Sequence, residues 1–355
     1  MTTMEALILT APGAFHVGRV PVPEPGPMEV LCRVAAVAIC GTDPHIIAGE
    51  YPGFWPREYP FVPGHEWAGE IVALGPGTAA FGWHVGQRVA GTSHAGCGYC
   101  RMCSTGRYNL CEAYGDPARG HRQYGHYSPG AYAEYVVHGV RSVFPVPPEL
   151  ALEEAALMDP ASIALYCAKR AAFSPGETVV VLGLGPIGLL VVMCAFALGA
   201  GRVIAVGRGQ RLERAVALGA EPVDYTAGDA VDAVRALTAG RGAPAVVECA
   251  GVPETLAQAV HMAARGGCVA VVGIPTGPEG DAAPLPLRRA VLDEIEIRGV
   301  RANRNTCAEV LPLMASRRVD AGQLITHRFP MREYATALET FTSRKDGALK
   351  VIVTP

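Results

Sequence analysis

The feature that most restricts how this 355-residue chain can fold is one glycine loop and what flanks it. Thr178-Val179-Val180-Val181-Leu182 is an unbroken apolar, β-branched run, the pattern of a strand buried on both faces. Gly183-Leu184-Gly185-Pro186-Ile187-Gly188 follows directly, and residues 187–198 then read as an apolar helix. A strand that breaks at glycines and restarts as a helix gathers backbone N–H groups and a positive dipole end at one spot, which suits a pyrophosphate. The rhythm recurs: Arg202-Val203-Ile204-Ala205-Val206 precedes a helical 212–218, and Ala245-Val246-Val247-Glu248-Cys249 and Cys268-Val269-Ala270-Val271-Val272 flank a helical 253–264. Strands separated by helices imply an α/β fold with a parallel, doubly wound sheet. Gly183, Gly185, Pro186, Ile187 and Gly188 are then the dinucleotide-binding residues, with Gly273 just past the last run.

The chain has a different character on either side of this stretch. Up to about residue 150 it is rich in Gly and Pro with short strand-like runs such as Glu70-Ile71-Val72-Ala73-Leu74, an irregular β-rich domain. The expected organisation is a catalytic β-rich domain over 1–153, a dinucleotide-binding domain over 154–298, and a return to the first domain over 299–355. The return follows because Leu349-Lys350-Val351-Ile352-Val353, a lone terminal strand, must pair with an existing sheet. A cleft between two such domains is the default place for a ligand.

With 50% hydrophobic and 18% charged residues the chain is a folded one, and its net charge of -3 offers no broad attraction for nucleic acid or an anionic membrane. The partner expected is a small molecule. The N-terminus has no basic stretch followed by an apolar one, and the longest apolar run, around 189–198, is too short to span a bilayer. Four of the eleven cysteines fall within fifteen residues. That usage points to thiolates on metal in a reduced, cytoplasmic protein rather than to a disulfide scaffold. Cys32, Cys167, Cys194, Cys249, Cys268 and Cys307 read as small buried hydrophobes.

Cys97, Cys100, Cys103 and Cys111, in a lobe at about 94–113, can close a tetrahedral shell around zinc with no position left for substrate. Such a site is structural: metal binding supplies folding energy to a segment with little core of its own. A nucleic-acid-binding zinc knuckle is disfavoured, because only Arg101 and Arg107 flank the cluster.

At the adenosine end, the second strand of an NAD-preferring enzyme usually finishes on an acid that binds the ribose 2′-OH. Here Gly207-Arg208-Gly209-Gln210-Arg211 follows instead. Arg208 and Arg211 favour a 2′-phosphate, and so NADP over NAD; the alternative is a pair of solvated surface arginines.

Two further segments carry the chemistry: Cys40-Gly41-Thr42-Asp43-Pro44-His45 and Pro63-Gly64-His65-Glu66. Each alone is ambiguous. In order along the chain, Cys40-Gly41-Thr42-Asp43, Gly64-His65-Glu66, the four-cysteine lobe and the glycine loop resemble the zinc-containing medium-chain alcohol dehydrogenases. The resemblance runs from Met4-Glu5-Ala6-Leu7 to Lys350-Val351-Ile352-Val353 and looks like the branch of polyol, secondary-alcohol and threonine dehydrogenases. It implies a GroES-like catalytic domain joined to a Rossmann domain, two zinc ions per chain, NADP or NAD, and a homodimer or homotetramer. The reaction implied is hydride transfer between the nicotinamide and a secondary or polyol-type alcohol or ketone.

By the same resemblance Cys40 and His65 ligate a catalytic zinc, and Glu66 is a third or an exchangeable ligand. Asp159 falls where relatives often carry a further ligand; it either coordinates directly or holds a water, and the alternative is a helix N-cap before Pro160. Thr42 would accept the hydrogen bond of the substrate hydroxyl and pass its proton toward His45 near solvent, a fitting role for an exposed imidazole.

Residues 114–130, with Arg119, His121, Arg122, Tyr124, His126 and Tyr127, form either a substrate mouth, an oligomer contact or a solvated loop. Phe54, Trp55 and Tyr59 are either a pocket wall or core. Zinc-free quinone or enone reductases share the scaffold but lack the cysteine lobe and the metal ligands.

Overall fold

The computed structural model describes residues 2–274 and 283–355. They divide into two compact units: Met1–Asp159 with Cys307–Ala315 and Ala321–Pro355, and Pro160–Thr306 with Ser316–Asp320.

The first unit is built on a seven-stranded sheet. Its central strand, Glu29–Ala38, is apolar but for Glu29 and Arg33 and buried along most of its length, and it pairs antiparallel with Glu66–Leu74 and Tyr135–Gly139. The C-terminal strand Lys350–Thr354 joins the same sheet, antiparallel to Glu29–Ala38 and parallel to Ile325–Pro330. Register decides what meets at one end. Ala38 pairs with Glu66 on one side and with Ile352 on the other, so Glu66, Lys350 and the segment after Ala38 converge. Leu7, Leu9, Trp67, Ile71, Tyr132 and Val351 are among the fully buried residues of the core beneath.

The second unit is a six-stranded, all-parallel sheet. Numbered within the unit, its strands lie in the order 3-2-1-4-5-6, beginning at Glu221–Asp224 and ending at Glu296–Gly299. Right-handed crossovers that run one way from strand one and then the other place helices on both faces, the doubly wound Rossmann arrangement. The order reverses beside strand one, Thr178–Leu182, so the glycine loop that follows it opens at the topological switch point. The helix after the loop, Pro186–Ala197, is buried along most of its length. Five of the six scattered cysteines are buried as expected, and Cys249 is half-buried.

Candidate active site

Thr42 caps the short helix Asp43–Ala48, and the turn before it is closed by Asp43, whose carboxylate accepts from the Cys40 N–H at 2.9 Å. This fixes Cys40 at the end of the central strand. His65 and Glu66 arrive on the neighbouring strand. The result is a cluster in which a Cys40 sulfur, a His65 nitrogen and a Glu66 oxygen all lie within 4.8 Å of one another.

Zinc fits this donor set, for a reason in the orientation of His65. Its Nδ1 is buried without a hydrogen-bond partner and faces Asp43 Oδ1, equally buried and unpartnered, at 3.6 Å. Its Nε2 lies 3.4 Å from the Thr42 hydroxyl. A carboxylate behind one imidazole nitrogen orients the ring so that the other serves the metal. Asp43 is in turn held by Tyr132, whose hydroxyl donates to Oδ2 at 2.7 Å. The sequence offered one sign of this role, the spacing of three residues between Cys40 and an acid.

Glu66 has a buried partner that the sequence reading did not single out. Lys350 forms an ion pair with its Oε2 and also donates to the Ile39 carbonyl at 3.3 Å. Burial pushes the Glu66 carboxyl up, and the Lys350 ammonium opposes the shift. A lysine inside an otherwise apolar terminal strand was the available signal.

Asp159 stands outside the three-donor group. It is buried and accepts a hydrogen bond from the Thr92 hydroxyl. Burial raises its pKa, against the Thr92 bond and the nearby His65, which lower it. His45 is more exposed, and its Nδ1 pairs with Glu50 Oε2 at 2.7 Å.

The basic and aromatic stretch is packed rather than solvated past the exposed turn at Ala118, Arg119 and Gly120. His121, Tyr124, His126 and Tyr127 are buried, and three glycines let the segment lie on the backbone that carries His65. Gly130, Ala131 and Tyr132 donate to Val62, Gly64 and Pro63 at 2.8 to 3.0 Å. A Cβ on Gly64 would lie 2.7 Å from the Tyr132 ring, and one on Gly125 3.0 Å from the His65 Cβ. Trp55 stacks on Phe54 (centroids 5.3 Å) and packs edge-on against His126.

In the cysteine lobe the four sulfurs also lie within 4.8 Å of one another. The N–H groups of Tyr99 and Cys100 point at Cys97 Sγ, those of Cys103 and Glu112 at Cys100 Sγ, and that of Cys97 at Cys111 Sγ, at 3.4 to 3.5 Å. Such donors favour thiolates. Those on Cys100 hold its thiol down to about 6, while burial pushes Cys103 up to about 12.

The glycine loop has the shape of a cradle. Gly183 has φ +86°, and a Cβ there would lie 2.6 Å from the Ala250 nitrogen; one on Gly188 would strike the Gly183 carbonyl. At Gly185 the space is open, with only the Arg211 guanidinium at 4.0 Å, so a pyrophosphate can approach the N-terminus of the helix that Pro186 and Ile187 begin. Gly273 lets two strand ends close together, since a Cβ on it would lie 2.5 Å from Glu248 Oε2. Arg208 lies over the Tyr225 ring at 5.6 Å. Asp224, in register with Gly207, is engaged by the Thr226 N–H and hydroxyl at 2.8 and 2.7 Å.

A four-sulfur group that could close around a metal, a three-donor group that could hold one with a position open, and a loop shaped for pyrophosphate are the features of one class, the zinc-dependent nicotinamide oxidoreductases. Residues 26–148 match the alcohol dehydrogenase GroES-like domain and residues 186–316 the zinc-binding dehydrogenase family. A sorbitol dehydrogenase of Bacillus subtilis (strain 168) is 35% identical over 356 residues, 99% of this chain and 97% of that one. A Sinorhizobium meliloti 1021 protein solved bound to NADP superposes with a TM-score of 0.90 at 31% identity, covering all of both chains. An alcohol dehydrogenase of E. coli CFT073 solved with NADH gives 0.89 at 26% identity, again over all of both chains. The chain belongs to the zinc-containing medium-chain alcohol dehydrogenase family, which transfers hydride between an alcohol or ketone and NAD(P).

Proposed function

We propose that the chain interconverts a polyol or related secondary alcohol and its ketone, with NADP as the preferred cofactor. The first unit is then catalytic and the second holds the nucleotide. The observation that carries this reading is the convergence of Cys40, His65 and Glu66, with Asp43 behind the far nitrogen of His65. These three residues would hold a catalytic zinc, and Cys97, Cys100, Cys103 and Cys111 a structural one. When bound, zinc supplies a Lewis acid for the reacting oxygen and the nicotinamide takes up or donates the hydride.

The rest is the work of this chain's own groups. Thr42, beside His65 Nε2, orients the substrate hydroxyl and accepts its hydrogen bond. Glu50 takes the Nδ1–H of His45, so a proton leaving the site is received on Nε2 of a ring already at the surface. Asp159 stays outside the ligand set and holds Thr92.

Arg208 and Arg211 support the NADP preference, one at the end of the second strand and one beside the loop. The thiol-rich metal lobe supports a reduced, cytoplasmic setting. Among the described residues no helix is long and apolar enough to cross a membrane. The same proposal makes the protein a homodimer through the edge strand Glu296–Gly299.

The test is metal content beside turnover. The purified protein holds two zincs per chain, and Cys40→Ser keeps one while losing more than about 100-fold in kcat/KM. Cys40→Ser with both zincs and full turnover sinks the catalytic assignment.

A further inference from the structure

Asp43 is fully buried, and its two oxygens are used unequally. Oδ2 accepts both the Cys40 N–H at 2.9 Å and the Tyr132 hydroxyl at 2.7 Å. Oδ1 has no hydrogen bond and faces His65 Nδ1 at 3.6 Å. Two donors on one oxygen fix the plane of the carboxylate and leave the other oxygen to the imidazole. Tyr132 is itself fixed on the backbone that carries His65. Its N–H donates to the Pro63 carbonyl at 3.0 Å, and a Cβ on Gly64 would come within 2.7 Å of its ring. A second phenol stands behind the first. Tyr334, which opens the helix Tyr334–Ser343, is fully buried, its ring edge-on to Tyr132 with centroids 4.8 Å apart. Its hydroxyl makes no well-formed hydrogen bond, yet the Tyr132 hydroxyl is near enough to oppose the rise that burial and the Asp43 charge impose on its pKa. A buried hydroxyl without a partner is costly and uncommon in native proteins. The Tyr132 oxygen, which gives its own proton to Asp43, keeps lone pairs that can accept from Tyr334.

We propose that Tyr132 and Tyr334 are positioning residues for His65, acting in series through Asp43. Tyr334 backs the Tyr132 hydroxyl, Tyr132 pins Asp43, and Asp43 turns Oδ1 to His65 Nδ1. A neutral imidazole has one N–H; a carboxylate at Nδ1 draws it there and leaves the lone pair on Nε2 for a metal. Burial and the Asp43 charge push both phenols above the ordinary tyrosine range, so both stay donors at neutral pH. The inference rests on the catalytic-zinc reading above and adds the residues that keep that metal in place.

The experiment follows zinc release from the two-zinc protein to a chromogenic chelator, the catalytic phase being the one that Cys40→Ser lacks. Tyr132→Phe removes one oxygen and keeps the ring. It is expected to speed the catalytic phase by about 10-fold and to leave the phase of the cysteine lobe within about 2-fold. Tyr334→Phe is expected to speed the catalytic phase by about 3-fold in the native chain and by less than about 1.5-fold in the Tyr132→Phe background, because a series is broken only once. In the Asp43→Asn background Tyr132→Phe should change the phase by less than about 2-fold, since the group it acts through is gone. A tyrosine that merely supports the fold would cost as much there as in the native chain. Equal release from native and Tyr132→Phe proteins overturns the proposal, as do additive effects of the two tyrosines. A native protein that yields no second zinc instead overturns the catalytic-zinc reading, and the proposal with it.

Discussion

A buried histidine has few ways to be neutral at low cost, and His138 shows one. It is fully buried, its Nε2 accepts from the Trp67 indole N–H at 3.2 Å, and the Tyr124 ring stacks on it with centroids 3.7 Å apart. Burial pulls its pKa from 6.5 down to about 3. Above pH 6.5 the ring is neutral folded or unfolded and has no effect on stability. Below that the unfolded chain takes a proton that the folded one refuses, so stability falls until the folded pKa near 3 is reached. At pH 5 the loss is roughly 2 kcal/mol. Trp55, Trp67 and Trp83 all lie in the first unit, so urea unfolding followed by tryptophan fluorescence reports on that unit. His138→Gln keeps an acceptor for Trp67 but cannot titrate, and its midpoint should fall less between pH 7.5 and 5. Identical slopes for the two proteins remove His138 as the source of acid sensitivity.

Among the elements, the cysteine lobe is the one that cannot stand by itself. Its regular structure is the two-residue strand His94–Ala95, one turn of helix, Arg101–Ser104, and the 3-10 turn Tyr108–Leu110, and its local core is Cys97, Cys111 and Ala113 backed by Cys100 and Cys103. Thiols in place of leucines leave little apolar area to bury, so a zinc held by the four sulfurs would supply the folding energy. Cys103→Ser should therefore release one zinc to a chromogenic chelator and speed tryptic cleavage at Arg101 or Arg107 by more than about tenfold. The fluorescence of the first unit should stay native-like. Unchanged cleavage in the zinc-free variant means the lobe holds itself together by other contacts.

How far each element could be read from the sequence follows from how local its code is. The lobe and the glycine loop are written in spacings of a few residues, and so is the strand–helix rhythm that gives the Rossmann sheet. Lys350 enters the site through long-range register instead, with Ala38 opposite both Glu66 and Ile352. No local pattern carries that. His126 is over His65 because Gly64, Gly125 and Gly130 permit two backbones to touch, so its stretch was noticeable by composition while its place was not. Asp159 is the instructive case: the resemblance put it beside Glu66 at the zinc, and the structure gives it a hydrogen bond from Thr92 while Cys40, His65 and Glu66 form the three-donor group.

For the whole molecule the open question is what covers the edge of the parallel sheet. Strand Glu296–Gly299 is an edge with most of its residues exposed, Ile297 among them. The helix just before it in sequence, Leu287–Leu292, exposes Leu287, Val291 and Leu292 at 62%, 66% and 69%. A strand edge that none of the described residues pairs with, with apolar residues close by in sequence, is a pairing surface for a partner. The sequence of this edge selects a second copy of itself. In antiparallel pairing about a two-fold axis through Ile297, Glu296 of each chain lies opposite Arg298 of the other, so both charges find an opposite twice over. Sedimentation should give a dimer, and Ile297→Pro, which removes a ladder donor, a monomer that still binds NADPH within about threefold. Charge variants separate this pairing from nonspecific disruption. Arg298→Glu alone sets four carboxylates against one another and should weaken the dimer, while Glu296→Arg combined with Arg298→Glu restores opposite charges across the axis and should restore it. If Ile297→Pro remains a dimer, the subunits meet elsewhere; if the double charge variant is as monomeric as the single one, the strand pairs in some other register.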